Sequence, residues 1–290
     1  MPGPNGDGSA GAGGSSAASL EGTPAQNGVG APGASGSTAT PSNNGVTGTP
    51  PGAGDDPSAA APDELAVLEN VLVFSRTVGY RHEAIGPGIE ALQALGAAHG
   101  FTVVATEDPA LFDDVGLAEF DVVVFLSTTM DVLDDAQQAA FERYIQSGGG
   151  WVGVHAASDT EYTWPWYGQL LGNGAWFKSH PEIQTASLDV ELTTHASTEH
   201  LPARFQLQDE WYSFQENPRS AVTVLLTLDE SSYSPGADPM GADHPIAWCH
   251  EFDGGRAWYT ALGHRHELYQ DPLFTQHLLG GIRWAAGVAP

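Results

Sequence analysis

Short apolar runs alternating with helical periods limit most sharply what this chain can fold into. NVLVFS (70–75), FTVVATED (101–108), DVVVFLS (121–127) and WVGV (151–154) are strand-length segments bounded by polar or small residues. The third is apolar on both faces, and a strand buried on both faces belongs in a parallel sheet covered by helices. The intervening stretches supply the helices. Ile85 to His99 carries Ile89, Leu92 and Leu95 at helical spacing and ends at Gly100. Asp134 to Ser147 opens on acids that suit a helix N-terminus and closes at Gly148. This alternation predicts an α/β fold, a flavodoxin-like three-layer sandwich around a mostly parallel central sheet. After residue 180 the pattern changes. Segments 183–193, 221–228, 245–252 and 256–262 read as strands, with a hairpin turn at Gly254-Gly255 and a closing helix from Pro272 to Gly287. These late strands are expected to extend the sheet.

Only residues 67–290 carry this pattern. Residues 1–66 hold no aromatic and no Lys, Arg or His, and consist largely of Gly, Ala, Ser, Pro, Thr and Asn. Such a segment buries too little apolar surface to offset its ordering entropy, so it is expected to be a disordered linker ahead of one domain. A stalk of this kind is typical of bacterial proteins tethered outside the cell. The expectation is therefore an extracytoplasmic protein, periplasmic or on the cell surface, with a signal or lipid anchor lying ahead of this numbering. No apolar run approaches a membrane span. The net charge of −27 repels phosphate backbones and anionic lipid, which argues against nucleic-acid and membrane-surface binding. Cys249 is the one cysteine, so there is no intrachain disulfide and no cysteine-based metal cluster. Within the strand-like PIAWCHEF it reads as a buried, inert thiol with no basic partner evident.

The stretch GGGWVGVHAAS (148–158) bears most directly on function. A strand running into a turn with small neighbours is how many α/β enzymes present a Ser or Cys nucleophile. Here the corner residue is His155. In a doubly wound sheet the ligand site lies outside the carboxyl ends of the strands, so His82 (GYRHEAIG) and His155 should open on one edge. His180 (FKSHPE), His264 and His266 (LGHRHELY), and Asp209 and Glu210 (QDEWYSF) are the other chemistry-bearing positions. Imidazole serves both proton transfer near neutrality and the binding of borderline metals. A single loop histidine is more often a backbone hydrogen-bonder than a ligand. His99, His195, His200, His244, His250 and His277 show nothing beyond ordinary surface or core placement. The aromatics Tyr162, Trp164, Trp166 and Tyr167 read either as core or as a sugar-stacking surface.

In order along the chain, VLVFSRTVGYRHEAI, the run from DVVVFLS through GGGWVGVHAASDT, WPWYGQLLG, DEWYSF, HPIAWCHEFDGGRAWYTALGH and the terminal GIRWAAG resemble the trehalose-utilisation (ThuA-like) family over about 70–287. The resemblance implies a class I glutamine amidotransferase-like fold and a bacterial role in disaccharide, glycoside or 3-keto-sugar catabolism. The family motifs fall on His82, His155, His180, Asp209, Glu210, Tyr212 and His264. Glutamine hydrolysis needs a thiolate at the corner, and His155 stands there instead.

Three readings follow. The first is an enzyme acting on a small-molecule carbohydrate through a His-rich pocket. In it His155, Glu210 and His264 are catalytic, while Trp164, Trp166, Tyr167, Asp209 and Tyr212 contact the substrate. His82, His155, His180 and His264 are the candidate ligands of one divalent transition metal and are expected to converge with Glu210; three imidazoles and one carboxylate make a nitrogen/oxygen site suited to Zn, Mn, Fe or Ni. Without a metal the same group could run acid/base catalysis. The second reading is a non-catalytic carbohydrate-binding or regulatory domain that keeps the cleft. The third is a structural domain on a stalk.

Overall fold

The computed structural model describes residues 67–289. The expected linker, 1–66, lies outside the described residues. Strands β1 (Asn70–Phe74), β2 (Thr102–Thr106), β3 (Val122–Leu126) and β4 (Gly150–Val154) form on the four apolar runs. They pair in parallel in the order β2-β1-β3-β4. Every residue of β3 and β4 is buried, as two-sided apolar strands require. Helix α1 (Ile85–His99) stops at Gly100, whose φ of 84° is the left-handed turn that ends helices most cheaply on glycine. A short helix, α2 (Asp114–Leu117), precedes β3. Helix α3 (Asp135–Gln146) starts from a reciprocal cap: the Asp134 side chain accepts from Gln137 N, and the Gln137 side chain accepts from Asp134 N.

After α4 (Pro165–Gly172) come β5 (Phe177–Ser179), β6 (Gln184–Val190), β7 (Arg204–Asp209), β8 (Ser213–Phe214), β9 (Thr223–Asp229), β10 (Pro245–Phe252) and β11 (Gly255–Thr260). Strand β11 lies parallel beside β4, and β10, β9, β6 and β7 continue outward antiparallel. The late strands thus complete a nine-stranded mixed sheet. The β10–β11 turn sits one residue earlier than expected. Asp253 (φ 48°) and Gly254 (φ 98°) take the two left-handed positions, and Gly255 opens β11. Among the described residues no helix is long and apolar enough to cross a membrane.

Two indoles mark the covered faces. Trp151 pairs with Ala257 and Trp258 with Val152, so the two rings point to opposite sides of the sheet. Trp151 meets Tyr167 of α4, with centroids 5.7 Å apart. Trp258 meets His277 of α5 (Pro272–Ala285) at 4.8 Å. A Cβ on Gly281 of α5 would stand 2.5 Å from the Trp258 ring, so glycine there sets how closely the helix lies on the sheet.

His277 also generates a prediction. Its Nδ1 donates to Ser197 O at 2.7 Å and its Nε2 accepts from the Thr260 hydroxyl at 3.2 Å, so the neutral ring is fully satisfied. Burial pushes its pKa down to about 3. The unfolded chain takes up this proton below about pH 6.5 and the folded chain does not, so stability falls as pH drops from 6.5 towards 3. His277→Gln is expected to flatten that fall by about 1 kcal/mol per pH unit between pH 6 and 4. Urea unfolding at several pH values measures it, and an unchanged slope would mean that the folded chain carries the proton.

Candidate functional site

The corner after β4 is strained. His155 has a φ of 51°, a left-handed conformation uncommon outside glycine. It opens a short 3-10 turn, His155–Asp159, in which Ala156, Ala157 and Ser158 are all buried. Two hydrogen bonds hold the corner to β11 and the residue just beyond it. Tyr259 Oη donates to His155 O at 2.8 Å, and His155 Nδ1 lies 2.8 Å from Ala261 O. A carbonyl can only accept, so Nδ1 carries the proton and Nε2 presents a lone pair. The ring has no solvent exposure and lies against Tyr212, with centroids 4.4 Å apart.

Three other side chains converge on that lone pair. His155 Nε2 is 3.3 Å from His264 Nδ1 and 3.5 Å from Glu210 Oε2, and His264 Nδ1 is 3.1 Å from the same oxygen. His82 meets His155 and His264 edge-on, with centroids at 4.7 and 5.3 Å. Its Nδ1 is buried without a hydrogen-bond partner. One donor atom from each of His82, His155, Glu210 and His264 falls within 4.8 Å of all the others. With metal–nitrogen bonds of about 2.0–2.1 Å, two ligands of a tetrahedral ion stand about 3.3–3.4 Å apart. The three separations of 3.1, 3.3 and 3.5 Å bracket that spacing, so this group could hold a metal.

His180 is not one of the four. Its Nδ1 stands 3.1 Å from Glu210 Oε1, the carboxylate oxygen on the other side, and its side chain is 40% exposed. Of the residues expected to converge, His82, His155, His264 and Glu210 come together, and His180 stands behind Glu210 towards solvent.

Glu210 reaches the cluster by an indirect route. Strand β7 lies at the far edge of the sheet, five places from β4. Beyond it the chain turns back, and β8 pairs with β5 in a separate two-stranded ribbon. Asp209 fixes the crossing. Its Oδ2 accepts from Gly263 N at 2.8 Å and its Oδ1 from Arg265 N at 3.1 Å, gripping the loop on both sides of His264. Asp209 is fully buried and committed to the backbone, so its expected substrate contact becomes a positioning role. Tyr212 is 3% exposed and packs between His155 and Phe177, forming a wall of the site.

Burial drives His82 down to about 3, helped by the neighbouring His155 and His264, so its ring is neutral near pH 7. Burial alone would raise the Glu210 carboxyl. The adjacent imidazoles of His155 and His264, when they carry charge, overrule it and hold the group well below the usual carboxylate range. Burial disfavours charge on His264 too, but Glu210 raises its pKa above the ordinary value.

The three aromatics expected on the substrate are elsewhere. Tyr167 has no exposed surface and donates its hydroxyl to Ala157 O at 2.7 Å. Trp164 stacks on Trp166 and donates to Glu142, and Trp166 donates to Asp253. Helical spacing turns this cluster into the core under α4 rather than towards the histidines. Cys249 does have a basic neighbour, His195 Nε2 at 3.6 Å, from a segment distant in sequence. Burial nevertheless pushes the thiol up to about 12 and His195 down to about 4, so no ion pair forms.

Two outcomes are expected. Asp209→Asn sets an amide donor against a backbone N–H and should cost about 1–3 kcal/mol of stability in urea unfolding. A loss below about 0.5 kcal/mol would mean that the His264 loop is held by other contacts. Cys249 should resist iodoacetamide in the native protein and react once unfolded, followed by intact mass. Rapid native alkylation would contradict the inert thiol.

No curated protein matches the chain in sequence. Among solved structures, a ThuA-like protein from Bacteroides uniformis superposes with a TM-score of 0.64 at 27% identity, covering 80% of this chain and 95% of its own. Another, from Parabacteroides merdae, gives 0.61 at 20% identity, with 76% and 90% covered. The family model described as trehalose utilisation matches residues 70–285, the whole run from β1 to the end of α5, and on that match the chain belongs to the trehalose-utilisation, or ThuA-like, family.

Proposed function

We propose that this protein is an enzyme of carbohydrate catabolism, acting on a disaccharide, glycoside or keto-sugar rather than hydrolysing glutamine. In this reading His82, His155, His264 and Glu210 hold one divalent transition metal of the Zn, Mn, Fe or Ni group. The observation that carries it is the convergence of His155, His264 and Glu210 donor atoms at near-tetrahedral spacing, 3.1–3.5 Å, with a His82 nitrogen within 4.8 Å of each. The bound ion would act as a Lewis acid towards a sugar oxygen. The Ala261 carbonyl fixes the His155 tautomer, the outer-shell arrangement common around ligating histidines. The neutral His82 ring keeps its nitrogen free for coordination. His180, half in solvent and 3.1 Å from the far oxygen of Glu210, would pass a proton between cleft and water. The absence of any cysteine but the buried Cys249 supports a chemistry other than thiol attack. The Gly/Ala/Ser/Pro-rich composition of 1–66 supports display of the domain outside the cytoplasm.

Elemental analysis of protein purified without a histidine tag is expected to find about one such ion per chain, lost from Glu210→Gln and from His155→Ala. A chelator should abolish turnover of a 3-keto-disaccharide probe, and returning the metal should restore it. Turnover that ignores the chelator yet disappears in His264→Gln would replace the metal centre by a proton-transfer centre. Protein that binds sugar without converting any probe would favour a non-catalytic binding domain.

A further inference from the structure

Beside His264 the surface falls into a cleft of about 220 Å³, bounded by Tyr80, Glu83, Ile183, Arg265, His266 and Glu267. Two of these residues are large, apolar and open to solvent, Tyr80 at 63% and Ile183 at 42%. Tyr80 is held in place. Its carbonyl accepts from Thr129 Oγ1 at 3.0 Å, and its ring stands edge-on to His82, 4.8 Å between centroids at 86°. The same tyrosine therefore touches the metal-type cluster and lines the cleft next to it.

The rest of the lining is polar and of mixed sign. Arg265 is engaged with Gln208 and, at 2.9 Å, with Glu267, so its charge is largely met within the protein. Glu83 adds a second carboxylate. An exposed aromatic face beside carboxylate acceptors and guanidinium donors complements a molecule with an apolar C–H face and a rim of hydroxyls. Each basic group of the lining already faces a carboxylate, Arg265 and His266 on Glu267 and His264 on Glu210, and the chain has a net charge of −27, so the cleft disfavours phosphorylated or carboxylated ligands.

We infer that this cleft is the subsite for one neutral, unphosphorylated pyranose ring, stacked on Tyr80 with its reacting end towards His264. The inference rests on the carbohydrate reading above and adds the charge class of the sugar and the residue that grips it.

Saturation-transfer NMR on the full chain, with glucose, methyl α-glucoside, trehalose and glucose 6-phosphate as probes, tests it. The neutral sugars should receive transfer at their ring C–H protons, and glucose 6-phosphate should bind about tenfold more weakly or not at all. Tyr80→Ala should weaken neutral-sugar binding about tenfold, Tyr80→Phe should preserve it, and both should melt like the parent protein. Unaltered binding in Tyr80→Ala, preference for the phosphorylated sugar, or no transfer from any probe would overturn the assignment. Parallel metal analysis separates it from the catalytic reading. Tyr80-dependent sugar binding in a protein that holds no metal and turns nothing over would sink the enzyme and leave the subsite. Metal and turnover intact in a Tyr80→Ala protein that binds sugar normally would sink the subsite alone.

Discussion

The parallel pairing of β11 with β4 is the constraint on which the rest of the molecule depends. The chain leaves β4 at His155, builds α4 and the antiparallel strands, and returns to lay Gly255–Thr260 in register against Gly150–Val154. Because the two strands run in the same direction, they end at the same edge, and the residues just past each end meet there. That is why the Ala261 carbonyl can fix the His155 ring and why His264 lies within reach of it. The close fit of this pair also depends on Gly153. A Cβ there would stand 2.4 Å from the Trp151 ring and 2.9 Å from Tyr259.

The corner after β4 and the far edge of the sheet solve different parts of one problem. A parallel block can bring loops from neighbouring strands together, but not a residue from an outlying strand. The His155 corner supplies a ring on a backbone held in an unfavourable φ. Asp209 then ties the end of β7 to the backbone on both sides of His264, which draws Glu210 in from the edge. A neutral imidazole, an imidazole biased towards its proton and a carboxylate biased against one thus occupy a single buried corner. Titratable groups pushed apart in this way mark sites of chemistry more often than sites of packing.

Much of this was legible in the chain itself. Two-sided apolar strands and capped helices set the layers, and the first and fourth strand ends set the meeting of His82 with His155. Residues whose placement follows from period and topology are readable in this way. Glu210 and His264 stood out through motif order, a pattern no single spacing supplies. The role of Asp209 was not readable, because both its partners lie more than fifty positions away and nothing local distinguishes a carboxylate that caps a loop from one that meets a ligand. The aromatics at 164–167 misled for a physical reason. Aromatics close to acids look alike in sequence whether a helix turns them outward or inward, and α4 turns them inward. The contact between His195 and Cys249 was unreadable for a similar reason, the two being neighbours only across the fold.

The long excursion between β4 and β11 also bears on how the molecule comes into being. Joining those strands closes a loop of roughly a hundred residues, and contacts of such separation form only after the loop-closure entropy has been met. During synthesis His82 and His155 emerge well before His264. Until the last parallel strand docks, the newly made chain lacks the carbonyl that sets one ring and the third imidazole of the cluster. The cluster is therefore complete only once the final third of the polypeptide has been made.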